Sequence, residues 1–151
     1  MVFEHDYESF PELTNQQISD FGFSSPHIQY TEDFDAVVVK VTDGDTLTLH
    51  TSSRNFDFPL RLLDIDAPEL GEGGERSKEW LKNRVEGSKV RILINSKNRV
   101  GKYGRLIGTV MYNGLSVNDE MIRLGLVSSF EMRLEDQLPN PDKIFSVKQW
   151  F

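Results

Sequence analysis

Short apolar runs of period two, separated by glycine-bearing turns, constrain the fold of this chain more than any other feature. The runs lie at residues 36–41, 46–50, 56–63, 89–94 and 105–112. Runs of this length and period, rich in β-branched residues, are typical of β-strands. The pairs Asp43-Gly44 and Asn113-Gly114 are hairpin-turn signals. The sequence therefore predicts five strands, of which the first two form a hairpin.

Two segments have helical spacing instead. Residues 75–85 place apolar side chains among charges, and Gly87 is positioned to end that helix. Residues 116–124 begin with Ser116, a good N-cap. The buried face predicted for this second helix consists of Val117, Met121 and Leu124. Three strands, a helix, two strands and helical material predict an α+β, mainly β fold: a five-stranded Greek-key barrel of the oligonucleotide-binding type with two to three packed helices.

Charge is distributed unevenly along the chain. The net charge of −7 argues against a nucleic-acid binder, since such proteins are usually basic. However, residues 1–35 hold eight acidic residues and no basic ones, whereas residues 76–105 hold ten basic and two acidic ones. We therefore predict an acidic, loosely docked N-terminal extension over residues 1–34 and a domain over residues 35–151. The extension either aids solubility or lies along the basic stripe of residues 76–105.

Composition excludes several classes of protein. The chain has no cysteine, so disulfides and Cys-ligated zinc are excluded. No apolar run approaches the roughly 18–20 residues that cross a bilayer, and the first residues lack the pattern of a signal peptide. The expectation is a monomer without a membrane partner, cytoplasmic by default, with secretion left open.

Carboxylates are concentrated in two short segments, residues 41–46 and 61–69. Hydrolysis of a phosphodiester needs a cation and an activated water, and Ca²⁺ or Mg²⁺ takes oxygen ligands. An alternative interpretation of the first segment is a hairpin turn stabilised by its Asp side chains. An alternative interpretation of the second is a solvated acidic loop.

Strand alternation does not assemble the second segment into a site. If the strand continues, Asp64 and Asp66 face the same side, and Pro68 ends the strand. Arg61 and Asp66 are five residues apart, which would put them on opposite faces. Only a turn could bring Glu69 back toward these two residues.

A third segment, residues 102–105, closes the basic stripe. Gly104 permits a tight backbone, Tyr103 can stack on a base, and Arg105 can grip a phosphate. The alternative interpretation is an ordinary turn that enters a strand.

Taken together, these segments resemble the staphylococcal nuclease (thermonuclease) family. The matching motifs are Asp43-Gly44-Asp45-Thr46, residues 61–69, residues 102–105 and residues 118–126, all in the family's order. The resemblance implies Ca²⁺ ligands at Asp45, Asp66 and the carbonyl of Ala67. It also implies that Glu69 is a general base or orients the attacking water.

The same resemblance implies that Arg61 and Arg105 hold the phosphate and stabilise the five-coordinate transition state. Lys102 and Tyr103 would line the nucleotide site. The implied activity is Ca²⁺-dependent cleavage of DNA and RNA with little sequence specificity, favouring single-stranded or locally open substrate and leaving 3′-phosphates.

The chain departs from the family pattern at several positions. Ala67 stands where the family has Thr, the loop at residues 70–74 is short, and residues 128–130 offer one aromatic, Phe130, where the secreted enzyme has two tyrosines. The alternative from another class is a catalytically inactive module that binds nucleic acid or protein. Such modules usually lack part of the acidic and arginine set, which this chain keeps.

Overall fold

The computed structural model describes residues 11–20, 27–68, 74–101 and 104–129, with the backbone alone at residues 19, 20 and 129. The elements in chain order are α1 (Asn15–Asp20), β1 (Phe34–Asp43), β2 (Thr46–His50), β3 (Phe58–Leu62), β4 (Ile65–Asp66), α2 (Gly74–Val85), β5 (Lys89–Leu93), β6 (Leu106–Tyr112), β7 (Leu115–Ser116), α3 (Val117–Arg123) and β8 (Ser128–Ser129). None of the helices in these ranges is long and apolar enough to cross a membrane.

β1 is the central strand of a closed barrel. It pairs antiparallel with β2 and with β5, and irregularities in its register with β2 let it bend between them. β2 pairs antiparallel with β3, and β5 with β6. A parallel pairing of β3 with β6 closes the barrel. The predicted α+β fold with a five-stranded barrel is confirmed.

Alternation along the strands separates the core from the surface that carries the site. In β3, Phe58, Leu60 and Leu62 are buried, whereas Pro59 and Arg61 between them are partly exposed. This is the period-two pattern of a strand with one face in the core. The alternation that buries Leu60 therefore turns Arg61 outward.

The helices cover the barrel with the faces that the sequence predicted, with one exception. α2 packs on β1 and buries Leu81 and Val85, while α3 packs on β6 and buries Val117 and Met121. The prediction that Leu124 belongs to this buried face is wrong. Leu124 is 53% exposed, because α3 ends one residue earlier and Leu124 is its C-cap.

The predicted turn and cap residues adopt the expected geometry. The Ser116 hydroxyl accepts a hydrogen bond from the backbone N–H of Asp119 at the start of α3. Gly87 ends α2 with a φ of 81°, in the left-handed region that glycine enters without a steric penalty. Asn113 and Gly114, with φ values of 53° and 77°, form the turn between β6 and β7.

Part of the N-terminal extension packs tightly on the barrel. Glu12 and Leu13 are buried, and the Glu12 carboxylate forms an ion pair with Arg54 in which both side chains are fully buried. The expected loose docking is therefore wrong for this stretch. The division of the chain at residue 34 stays a prediction.

Asn118 ties α3 to two parts of the barrel. Its side chain is buried, its Oδ1 accepts a hydrogen bond of 3.1 Å from the Val110 N–H, and its Nδ2 donates one of 3.1 Å to the Leu63 carbonyl. Buried polar groups of this kind are costly to leave without partners. The amide therefore fixes the end of β3 relative to β6.

We predict that Asn118→Ala destabilises the fold by about 1–3 kcal/mol, because the buried Val110 N–H and Leu63 carbonyl each lose a partner. Urea unfolding of both proteins measures the difference. Arg123→Ala, at an exposed position on the same helix, is the control and should cost about 0.5 kcal/mol or less. Equal stability of the two variants would contradict the structural role of Asn118.

Candidate active site

The hairpin between β1 and β2 places the Asp45 carboxylate. Gly44 and Asp45 form the turn between the strands. The Thr42 hydroxyl donates to the Thr46 carbonyl across the turn, and the Thr46 hydroxyl donates to Asp45 Oδ1 at 3.0 Å. Both contacts hold the turn closed, so the carboxylate of Asp45 has a fixed direction.

Gly44 allows this hairpin to sit directly against its neighbours. A Cβ atom at Gly44 would lie 2.7 Å from the Cβ of Ser77 and 2.9 Å from the Cβ of Ala67. Ser77 is buried in α2, and its hydroxyl donates to the Leu126 carbonyl. The absence of a side chain at residue 44 therefore sets how closely Asp45 approaches the segment that contains Ala67.

A turn after β3 brings Asp66 back toward Arg61. β3 ends at Leu62, and Asp64 adopts a φ of 58°, in the left-handed region that Asp enters more readily than most residues. β4 then begins at Ile65. Asp64 and Asp66 were expected to share a face only if the strand continued, and that condition is not met, because a turn at residues 63 and 64 separates β3 from β4.

The Arg61 guanidinium is the centre of the site. Its Nη1 lies 3.1 Å from Asp45 Oδ2 and donates to the Ile65 carbonyl at 3.1 Å, while its Nη2 lies 3.6 Å from Asp66 Oδ1. The Ala67 N–H donates to Asp45 Oδ2 at 3.2 Å. The structure thus brings together four of the predicted site residues: Arg61, Asp45, Asp66 and Ala67.

These charges are partly shielded from water. The Arg61 side chain is 26% exposed, and those of Asp45 and Asp66 are 16% and 18% exposed. Coulomb interactions at such positions are stronger than in bulk water because the effective dielectric constant is lower. The site is therefore partly open to solvent, and its charges act more strongly on one another than fully exposed charges would.

Arg105 lies at the start of the neighbouring strand. In the parallel pairing of β3 with β6, Leu60 is opposite Leu106 and Arg61 is opposite Ile107. Leu60 and Leu106 are both fully buried, so Arg105, directly before Leu106, lies on the outward side with Arg61 if the alternation extends to it. Among the described residues, Arg105 forms no ion pair with the acidic cluster.

Three predicted site residues, Glu69, Lys102 and Tyr103, lie outside the described residues, as does Phe130. Their roles stay predictions.

The oxygen donors of the site suit a hard cation that keeps part of its water shell. Within the described residues, no group of three or more His, Asp or Glu side chains converges. The donor set is instead the carboxylates of Asp45 and Asp66, both in contact with one guanidinium, with the Ala67 carbonyl next in the chain. Ca²⁺ accepts carboxylate, carbonyl and water oxygens together, so these residues fit it.

The roles of two residues that shape the site could not be deduced from the sequence. Asn118 lay within a recognised motif, yet its role as the partner of the Leu63 carbonyl could not be deduced from spacing. Asn98 lines an open cleft beside Arg61 together with residues 62–65 and Ile107. No pattern in the sequence connects Asn98 to Arg61.

Comparisons with known proteins identify the family that this chain is similar to. Residues 59–149 match the profile of the family described as staphylococcal nuclease homologue. A protein of Haemophilus influenzae described as an uncharacterized endonuclease is 35% identical over 102 residues, which cover 67% of this chain and 55% of that protein. The micrococcal nuclease of Shigella flexneri is 34% identical over 79 residues, or 52% of this chain and 42% of that one.

A plant protein is also similar to this chain, over a shorter stretch. A staphylococcal-like nuclease of Arabidopsis thaliana is 38% identical over 71 residues, which cover 46% of this chain and 21% of that protein. The chain therefore spans about half or less of the length of these curated relatives.

We predict that Gly44→Ala destabilises the protein by about 1–3 kcal/mol, because the new methyl group overlaps Ser77 and Ala67 in a packed contact. Gly101→Ala is the control, since its nearest atom is the mobile end of the Ile107 side chain at 3.1 Å. Urea unfolding distinguishes the two. A Gly44→Ala protein as stable as the Gly101→Ala protein would contradict the close approach.

Proposed function

Because the chain belongs to the staphylococcal nuclease family, we propose that it is a Ca²⁺-dependent nuclease that hydrolyses phosphodiester bonds of DNA and RNA. The observation that carries the proposal is the convergence of Asp45 and Asp66 on the Arg61 guanidinium. The nuclease names of the bacterial relatives support it.

Asp45, Asp66 and the Ala67 carbonyl are the residues proposed to hold Ca²⁺. The bound cation would supply positive charge to neutralise the phosphate. The Ala67 N–H donates to Asp45 Oδ2 at 3.2 Å, so the Ala67 backbone lies beside one of the carboxylates proposed as a ligand. The change from the family's Thr to Ala67 is compatible with this role, because only the backbone would bind.

Arg61 is proposed to bind the scissile phosphate. A guanidinium has five N–H donors. Within the described residues, Nη1 donates to the Ile65 carbonyl, and ion-pair contacts join Nη1 to Asp45 and Nη2 to Asp66. These three contacts occupy at most three N–H groups, so others are left to donate to phosphate oxygens. The same contacts hold the guanidinium in place before substrate binds, which is the condition for strong transition-state stabilisation.

Arg105 is proposed as the second arginine that donates hydrogen bonds to the phosphate. Glu69 is proposed as the group that accepts a proton from the attacking water or orients that water. The water forms a bond to phosphorus while the bond from phosphorus to the 5′ oxygen breaks. The products are a 3′-phosphate and a 5′-hydroxyl. Lys102 and Tyr103 are proposed to contact the nucleotide, and an aromatic ring there would favour unpaired bases.

Exposed basic residues support attraction of a polyanion. In the basic stripe, the residues that the structure shows exposed are Arg76, Lys82, Lys89, Arg91 and Lys97. Phosphate neutralisation by such side chains makes binding weaken as salt concentration rises. The acidic net charge of the chain does not oppose this proposal, because the charges nearest the substrate decide its attraction.

We predict that the protein cleaves heat-denatured DNA in the presence of Ca²⁺ and that EDTA abolishes cleavage, because Asp45 and Asp66 would then lack the cation. Gel analysis of the digest measures both. Addition of excess Ca²⁺ after EDTA should restore the activity. Absence of cleavage with Ca²⁺ over a broad pH range, with retained binding of the DNA, would favour an inactive binding module.

We predict that Arg105→Gln lowers kcat on the order of 10²–10³-fold, the loss expected for one transition-state donor. Steady-state kinetics on single-stranded DNA measures it. Arg91→Gln is the matched control: Arg91 belongs to the same basic stripe but forms an exposed ion pair with Asp35, and its kcat should stay at the wild-type value. Wild-type kcat in Arg105→Gln would show that Arg105 has another role.

A further inference from the structure

The N-terminal segment is locked to the barrel by a buried arginine. Arg54 donates two hydrogen bonds of 2.6 Å to the Glu12 carboxylate, and neither side chain is exposed. Arg54 also donates to the Ile28 carbonyl and lies over the rings of Tyr30 and Phe58. A bidentate pair is among the strongest hydrogen-bonded contacts, so the position of Glu12 is fixed.

A second buried arginine holds the same segment. Arg99, one of the ten bases of the basic stripe, donates to the Leu13 carbonyl at 2.7 Å, to the Tyr30 carbonyl at 2.9 Å and to Asn15 Oδ1 at 3.3 Å. Burial lowers the pKa of Arg99, an effect that the negative charge of Glu12 opposes. This base is therefore structural and is not presented to a substrate.

The locked segment reaches the residue before Arg105. The Glu12 N–H donates a hydrogen bond of 3.0 Å to the Gly104 carbonyl. That carbonyl belongs to the peptide group whose nitrogen is the backbone N of Arg105. Since a peptide group is planar, fixing the carbonyl also fixes the direction in which the chain enters Arg105.

Two backbone hydrogen bonds restrain the chain at Gly104 and Arg105. Gly104 has a φ of 69°, in the left-handed region, and as a glycine it has no side chain to pack. The Gly101 N–H donates a hydrogen bond of 2.8 Å to the Arg105 carbonyl. Gly104 and Arg105 are both only partly buried. The bond from Glu12 to the Gly104 carbonyl therefore adds a restraint from a part of the chain that is distant in sequence.

We propose that residues 11–15 are a positioning strap for Arg105, locked by the Glu12–Arg54 pair and acting through the Gly104 carbonyl. This inference rests on the proposed function, because it assigns the strap to the second phosphate-binding arginine. Glu12 and Arg54 are positioning residues that do not touch the substrate. The charge of Glu12 is neutralised inside the protein, so this acid does not compete with nucleic acid.

The test removes both partners of the Glu12–Arg54 pair, so that neither is left without the other. Replacing one partner alone would leave the other uncompensated, so Glu12→Gln and Arg54→Met are combined in one protein. We expect kcat to fall about 10–100-fold, the scale of a small misplacement of a catalytic group, with KM changed less than kcat. An unchanged kcat would overturn the proposal.

A double-mutant cycle separates positioning from general damage. In an Arg105→Gln background the combined substitution should lower kcat no more than about twofold, because the group that it positions is already absent. Losses that multiply would overturn the proposal. Arg54→Lys, which keeps the buried charge and loses the bidentate contact, is a milder variant that should show the same pattern with a smaller loss.

Amide hydrogen exchange gives a readout that does not depend on activity. In the combined variant, exchange of the Gly101 amide should be at least tenfold faster, while the Val110 amide, held by Asn118, keeps its wild-type rate. Asp35→Asn, which breaks the exposed pair with Arg91, is the control and should change neither exchange rate.

Unchanged exchange of the Gly101 amide overturns the strap even if the wild-type protein proves not to cleave nucleic acid. Absence of wild-type cleavage, with the exchange pattern as expected, contradicts the proposed function and leaves the strap as a structural contact.

Discussion

The contact of one guanidinium with two carboxylates and a carbonyl is the interaction on which the site depends. Arg61 comes from β3, Asp45 from the turn between β1 and β2, and Asp66 from β4. Both carboxylates are partly buried, and Arg61 contributes a positive charge in contact with each of them. One side chain therefore holds together three elements that are separate in the sequence.

Most of the fold could be predicted from the sequence because its strands and turns are locally coded. Alternation, the two glycine turns, and the Ser116 cap each act over a few residues. The site was less predictable. Alternation put Arg61 and Asp66 on opposite faces, and the left-handed φ of 58° at Asp64 that reverses the chain has no distinct sequence signal. The resemblance to a known family placed Arg61 and Asp66 in one site, whereas their spacing did not.

Contacts between distant parts of the chain account for what the sequence could not show. The buried pair joins Glu12 and Arg54, which are 42 residues apart in the sequence, and no periodicity connects them. From the sequence alone, a carboxylate such as that of Glu12 is expected at the surface, because burying a charge without a partner has a prohibitive free-energy cost. Arg99 is the converse case: its place in a basic stripe indicated a surface charge, whereas the structure uses it to hold backbone carbonyls.

These buried pairs change how the net charge of the chain should be interpreted. Glu12 is neutralised by Arg54 within the fold, and Arg61 offsets one of the two negative charges of Asp45 and Asp66. At physiological ionic strength, charges separated by more than about 8 Å through solvent are largely screened. A charged molecule approaching Arg61 therefore responds mainly to the charges within that distance, and it responds little to the sum over 151 residues. The negative net charge of the chain does not decide whether this site attracts an anion, because the local balance of paired and unpaired charges does.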